Sequence, residues 1–228
     1  KNVRIVKFSP DGEYLACGGD SGIIEIWRVR DGLRLKTLMM QNTPITSLAF
    51  SPDGNYLAGA DYTGGIKTFR TRDWSALQKL QDGTTPIYCL DFSPDGELLA
   101  SGNKGKSVKI WKWRSGETLQ ILYHTSEPST LTFSPNGSFI ATGYSDGVIK
   151  IWRVSDGIPL QDLKSHSYRV NSIAFSPNGQ LIVSGDANGY VNFWLFDEQE
   201  CEEISKGLIA LGLLAIAYGE RISPLIQQ

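Results

Sequence analysis

The chain has 228 residues, enough for one large or two small domains, and 41% hydrophobic with 20% charged residues is the balance of a soluble globular protein with a sizeable core. A formal net charge of −2 leaves no basic footprint for nucleic acid or an anionic membrane surface. Three cysteines, Cys17, Cys89 and Cys201, are odd in number and widely spaced, which reads as reduced thiols in the cytoplasm and excludes a disulfide framework.

The chain opens at Lys1, without an initiator Met, directly on an alternating run, VRIVKF (3–8), so a piece of a longer polypeptide is expected. SPDG follows: Pro presets φ, Asp suits the bend and Gly supplies φ > 0. A second strand (YLACGG), a turn ending in Gly, a third strand (IIEIW), the turn Asp31-Gly32 and a fourth strand (LRLKTL) complete the unit. The order then repeats. Its first strands are ITSLAF, IYCLDF and VNSIAF, and its pentapeptides start at Phe8, Phe50, Phe92, Phe133 and Phe175. Nineteen residues after each Phe stands an aromatic: Trp27, Phe69, Trp111, Trp152 and Trp194.

Four short strands every 41 or 42 residues are what propeller blades require, because a lone blade cannot bury both faces. On these residues the chain resembles the WD40-repeat family over roughly 1–206, which implies an all-β propeller of four-stranded antiparallel blades. Five full repeats are expected at approximately 1–40, 41–82, 83–123, 124–165 and 166–206. The resemblance also implies a four-part hydrogen-bond network in each blade, from His, Ser or Thr, Asp and Trp. One repeat carries all four as His124, Thr142, Asp146 and Trp152, and the fifth matches with His166, Ser184, Asn188 and Trp194. The third keeps only Ser101 and Trp111, and Cys17, Ser21, Gly59, Thr63 and Phe69 take these places in the first two. On this assignment Asp146→Ala should destabilise more than Asp11→Ala.

Family members most often have seven blades, about 290 residues at this period. The apolar stretch GLIALGLLAIAYG (207–219) is too short to span a bilayer. Residues 207–228 read either as a degenerate sixth-blade strand, since AIAYGERISPLI resembles SIAFSPNGQLIV, or as a helix. Either way the first and fifth blades lack partners, which the rest of the chain or a second copy could supply.

Catalytic signals are weak. Both histidines fall on network positions, CxxC and HExxH spacings are absent, and Gly18–Gly22 leads into a strand, so neither metal nor cofactor is expected. The basic cluster 103–114 interleaves Trp111 and Trp113, but the repeat register scatters its cations over loops and strand faces. What remains is the loop surface, where rigid frames carry recognition. The resemblance implies partner binding on the rim before the first strands and between the second and third, which places Asp20, Tyr62, Lys104, Glu127, Tyr168 and Arg169 there. The expected function is a non-catalytic protein–protein interaction scaffold. The alternative is the regulatory or sensing propeller of a larger enzyme, a nucleotide hydrolase, kinase or protease, whose catalytic domain lies outside this chain.

Overall fold

The computed structural model describes residues 2–164 and 166–199, and among them nineteen strands form five antiparallel sheets. Blade one is β1 (Val3–Phe8), β2 (Tyr14–Gly19), β3 (Ile23–Arg28) and β4 (Leu33–Met39). Blade two is β5 (Ile45–Phe50), β6 (Tyr56–Asp61), β7 (Gly65–Arg70) and β8 (Ala76–Gln81). Blade three is β9 (Ile87–Phe92), β10 (Leu98–Asn103), β11 (Ser107–Lys112) and β12 (Glu117–Tyr123). Blade four is β13 (Pro128–Phe133), β14 (Phe139–Tyr144), β15 (Val148–Arg153) and β16 (Pro159–Lys164). In blade five β17 (Val170–Phe175), β18 (Leu181–Asp186) and β19 (Val191–Leu195) are described. Cys201 and the segment 207–228 lie outside the described residues.

Each blade is a meander, so its turns alternate between two rims. The SPDG turns share one rim and are built identically. In the first, Gly12 N–H donates to the Ser9 carbonyl (2.9 Å), Asp11 accepts from Glu13 N–H (2.9 Å), and Ser9 Oγ accepts from Tyr14 N–H (2.9 Å). Gly12 closes the turn at φ +72°, which an L side chain adopts only at a cost, and Gly54, Gly96, Gly137 and Gly179 repeat it.

Strand alternation feeds two junctions at once. In blade four, Ile149 and Ile151 pack forward onto Val170, Ile173 and Ile182 of blade five, whereas Ile140 and Trp152 pack backward with Val108 and Ile110 of blade three. With side chains buried on both faces, each isoleucine contributes about 2 kcal/mol of burial. The first strands β1, β5, β9, β13 and β17 lie next to one another in sequence order. They are tied across junctions by Ser47 Oγ accepting from Leu90 N–H (3.1 Å) and Asp91 accepting from Phe133 N–H (3.1 Å). Each of them also carries a bulge near its start, at Arg4, Thr46, Tyr88, Ser129 and Asn171.

Candidate partner-binding rim

The rim opposite the SPDG turns is pinned by one backbone bond made five times. The amides of Asp20, Tyr62, Lys104, Ser145 and Ala187, just past each second strand, donate to the carbonyls of Asn2, Pro44, Pro86, Glu127 and Arg169, just before each first strand. The bond locks two loops together in every blade and leaves the side chains free to differ.

Those side chains meet around Tyr88. Tyr88 is the unpaired residue of its first-strand bulge, the kind of position that re-aims a side chain. Arg169 stacks its guanidinium over the Tyr88 ring, 5.9 Å from the centroid. Burial pushes the Tyr88 hydroxyl up, Glu127 pushes it further, and Lys104 and Arg169 pull it back. Four of the residues expected on this rim, Tyr62, Lys104, Glu127 and Arg169, thus lie close enough to bias one phenol, though they come from blades two to five. Tyr62 and Tyr168 are half exposed. Asp20 stands apart in blade one, engaged by Arg4. Tyr88 itself, which is partly buried, was missed by sequence reasoning, because alternation places it inside a strand.

The interior network differs from the expected one. In blade five, His166 sits between Asp186 (Nδ1···Oδ2 3.1 Å) and Ser184 (Nε2···Oγ 2.8 Å), and Trp194 Nε1 donates to Ser184 Oγ (2.9 Å). Asn188 is not the acid partner: it is exposed, and only its backbone N–H reaches Asp186 (2.9 Å). Burial opposes charge on Asp186, but the amides of Tyr190 and Asn188, with His166, hold its carboxyl below the usual range. A Ser–His–Asp chain of this shape is the geometry of a nucleophilic triad. Here Ser184 is fully buried and its oxygen already accepts the indole hydrogen, so a substrate carbonyl has no approach.

In blade four the expected quartet is not assembled. Asp146 is exposed and accepts from Ser126 Oγ (2.5 Å), in the loop before β13, and from Val148 N–H (3.2 Å) of its own turn. Tyr144 fills the interior instead, stacked on His124 with ring centroids 3.8 Å apart. Burial lowers the His124 pKa, with Asp146 opposing. The Trp152 indole nitrogen and the Thr142 hydroxyl are close enough to pull the Tyr144 ionisation down against its burial, yet neither they nor the Tyr144 hydroxyl have a partner in hydrogen-bond geometry. Blade three, expected to be depleted, also builds a network. Asp82 stands one residue before the place that the histidine spacing marks, accepting from Ser101 Oγ (2.6 Å) and Asn103 Nδ2 (3.0 Å) and pairing with Lys109 Nζ (3.0 Å), while Trp111 Nε1 donates to Ser101 (2.9 Å).

The basic cluster is largely absorbed by local pairs. Lys109 goes to Asp82, Lys112 to Glu117 and Arg114 to Glu97, and Trp113 is buried, donating to the Gly96 carbonyl (2.9 Å). Cys17 and Cys89 are free thiols, and burial pushes Cys89 up to about 12, which makes it inert at neutral pH. Among the described residues no helix is long and apolar enough to cross a membrane.

The WD domain, G-beta repeat family matches the chain over 1–28, 32–68, 74–112, 116–153 and 157–194. Each match after the first begins near the outer strand of one sheet and runs through the first three strands of the next. One of the subunits of chromatin assembly factor 1 from Gallus gallus is 45% identical over 42 residues, 18% of this chain and 7% of that protein. The shared stretch is therefore one repeat in length. With five matches on five successive propeller-type sheets, this chain belongs to the WD40-repeat family.

Proposed function

We propose that the chain is a non-catalytic scaffold that binds other proteins or peptides on the rim around Tyr88, and that it does so in the cytoplasm. The observation that carries this reading is the five-fold backbone bond, which holds unlike side chains in one rigid frame. Tyr and Arg dominate the centre of that rim, and these residue types supply large contact area at interface hot spots. The match to a protein that by its name is one part of a larger assembly factor agrees with an assembling role. The free thiols Cys17 and Cys89 support a reducing compartment.

The test compares three immobilised proteins in extract of the source cells: the parent chain, a Tyr62→Ala/Tyr88→Ala/Arg169→Ala variant, and Glu13→Ala on the opposite rim. A set of proteins retained by the parent and by Glu13→Ala, but depleted about tenfold or more by the triple variant, supports the reading. Equal retention by all three defeats it.

A further inference from the structure

Blades one to four each end the third strand in a cation, Arg28, Arg70, Lys112 or Arg153, and then turn on the SPDG rim into the fourth strand. In blades one and four an aspartate of that turn satisfies the cation. Arg28 forks onto Asp31 through Nε (3.1 Å) and Nη2 (2.7 Å), and Arg153 Nε donates to Asp156 (3.0 Å). A second arginine follows two residues later in blades one to three, as Arg30, Arg72 and Arg114. In blade three Arg114 pairs with Glu97 (3.0 Å), the residue just before the second strand.

Blade two keeps both cations and lacks both of these pairings. Asn55 stands where blade three has Glu97, and its Nδ2 donates to Asp53 (2.8 Å). Asp73 stands where blade one has Asp31, but Ser75 occupies one of its oxygens through N–H (3.0 Å) and Oγ (2.7 Å). The other oxygen lies 3.6 Å from Arg70 Nη1 and 3.8 Å from Arg72 Nε, beyond hydrogen-bond distance. Among the described residues no other acid pairs with either guanidinium. The two side chains line a cleft of ≈ 390 Å³ with Asn55 and Tyr56. Tyr56 is a fixed wall, met edge-on by Trp113 (ring centroids 4.8 Å) and covered by Arg114 (5.2 Å from the centroid). The cleft belongs to a blade with described neighbours on both sides.

We propose that this cleft binds a phosphate group carried by a protein side chain. Two guanidinium forks with unused donors call for an oxyanion. The carboxylate already present at Asp73 leaves both unfilled, whereas a phosphate monoester brings three acceptor oxygens and a charge of about −1.5 to −2, enough for both forks at once. A cleft above ~300 Å³ also has room for the residue that carries the phosphate, laid against Tyr56. The site lies on the rim opposite Tyr88 and stands independently of partner binding there.

NMR of the full ¹⁵N-labelled chain tests this by following the Arg Nε–Hε signals at constant ionic strength. The probes are N-acetyl-phosphoserine amide, inorganic phosphate and N-acetyl-aspartate amide, each titrated separately. The phosphoserine probe should shift the Arg70 and Arg72 signals with a dissociation constant of about 1–10 mM, and the other two should bind about fivefold more weakly or less. Arg72→Gln should weaken phosphoserine binding about fivefold, and Asn55→Glu, which copies Glu97, about tenfold. Arg30→Gln removes an equally exposed cation from the corresponding place in blade one and should change it less than about twofold. Unshifted Arg70 and Arg72 signals overturn the proposal. So does an equal loss in Arg30→Gln, which would reduce the effect to general surface charge. Aspartate or inorganic phosphate binding as tightly as phosphoserine overturns it as well.

Discussion

In blade three, Asp82 reaches under the sheet to Ser101, Asn103 and Lys109, and Trp111 closes the set on Ser101. In blade two the same positions hold Met40, Gly59 and Phe69. Met40 Sδ lies 3.5 Å from where a Gly59 Cβ would stand, and Phe69 is buried without needing a donor's partner. Asp61, at the place of Asn103, turns away and caps its own turn through Thr63 and Gly65. Farther along the first strand the contrast persists, with Ala49 in blade two where blade three has Asp91. The two blades present one backbone with opposite interiors, each of which leaves one buried oxygen without a hydrogen-bond partner, Asp61 Oδ2 in blade two and Asn103 Oδ1 in blade three. A buried polar group is tolerated where its partners change with it.

The comparison breaks most easily at Asp82. Asp82→Met, which copies blade two's residue alone, strands Lys109, Ser101 and Asn103 and should cost about 3–5 kcal/mol. The triple swap Asp82→Met/Ser101→Gly/Trp111→Phe should cost less than the sum of its parts, because it removes partners together. Urea midpoints measure both. A loss under about 1 kcal/mol for the single change would mean the network contributes little.

The reverse intrusion is smaller. Gly59→Ser puts a Cβ 2.6 Å from Ile24 Cδ1 and 3.4 Å from Leu48 Cδ2, so blade one must shift. Overpacking of this kind costs about 1–3 kcal/mol. Ile24→Val withdraws the offending methyl, so the double variant should recover part of the loss. Additive losses would show that the clash is not the cause.

The contrast between blades also explains what the sequence could reveal. Period-2 runs, SPDG turns and the 41–42-residue step depend on local chemistry, so the all-β fold and the order of its strands were readable from the chain alone. The placing of Tyr62, Lys104 and Arg169 on one rim came instead from the resemblance to the family, which assigns those loops to a partner-binding face. The interior networks were readable from neither. Asp82 stands one residue before the place that the histidine spacing marks, and it reaches Ser101 together with Lys109 and Asn103 from other strands. Asp146 matches the pattern in sequence, yet Tyr144 claims the interior because a large aromatic buries more apolar surface. Side-chain competition of this kind is a tertiary property, and a one-dimensional spacing does not encode it.

Asp91 sharpens the comparison through pH. Burial pushes its carboxyl up to about 6, against bonds from Phe133 N–H and Thr132 and the charge of Lys7. A folded pKa above the unfolded 3.8 means that the native state binds the proton more tightly. Its contribution is therefore full below pH 4 and is lost as pH rises from about 4 to 6. Asp91→Asn keeps an acceptor for Phe133 and removes the charge, so it should stabilise at pH 7.5 and change little at pH 4. Asp91 retains some solvent contact, which screens the buried charge, so a gain of about 1 kcal/mol is expected. Ala49 titrates nothing, and blade two should show no such window. An equal gain at both pH values would assign the effect to packing.

The smallest effect concerns Asp146 and Asp11, which the repeat pattern ranks far apart. The structure makes them alike. Asp146 accepts from one hydroxyl (Ser126, in the loop before β13) and one amide (Val148), and Asp11 accepts from one hydroxyl (Ser9) and one amide (Glu13) of its own turn. The Ser9 bond, followed by the Glu13 amide, holds the Asp11 carboxyl below its usual range. Losing two exposed, charge-assisted bonds costs about 0.5–1.5 kcal/mol in either case, because water replaces the lost acceptor. Asp146→Ala and Asp11→Ala should therefore lie within about 0.5 kcal/mol of each other in parallel urea titrations. A much larger loss at Asp146 would restore it to the interior network. Tyr144 would then have to leave His124, and blade four would come to resemble blade three.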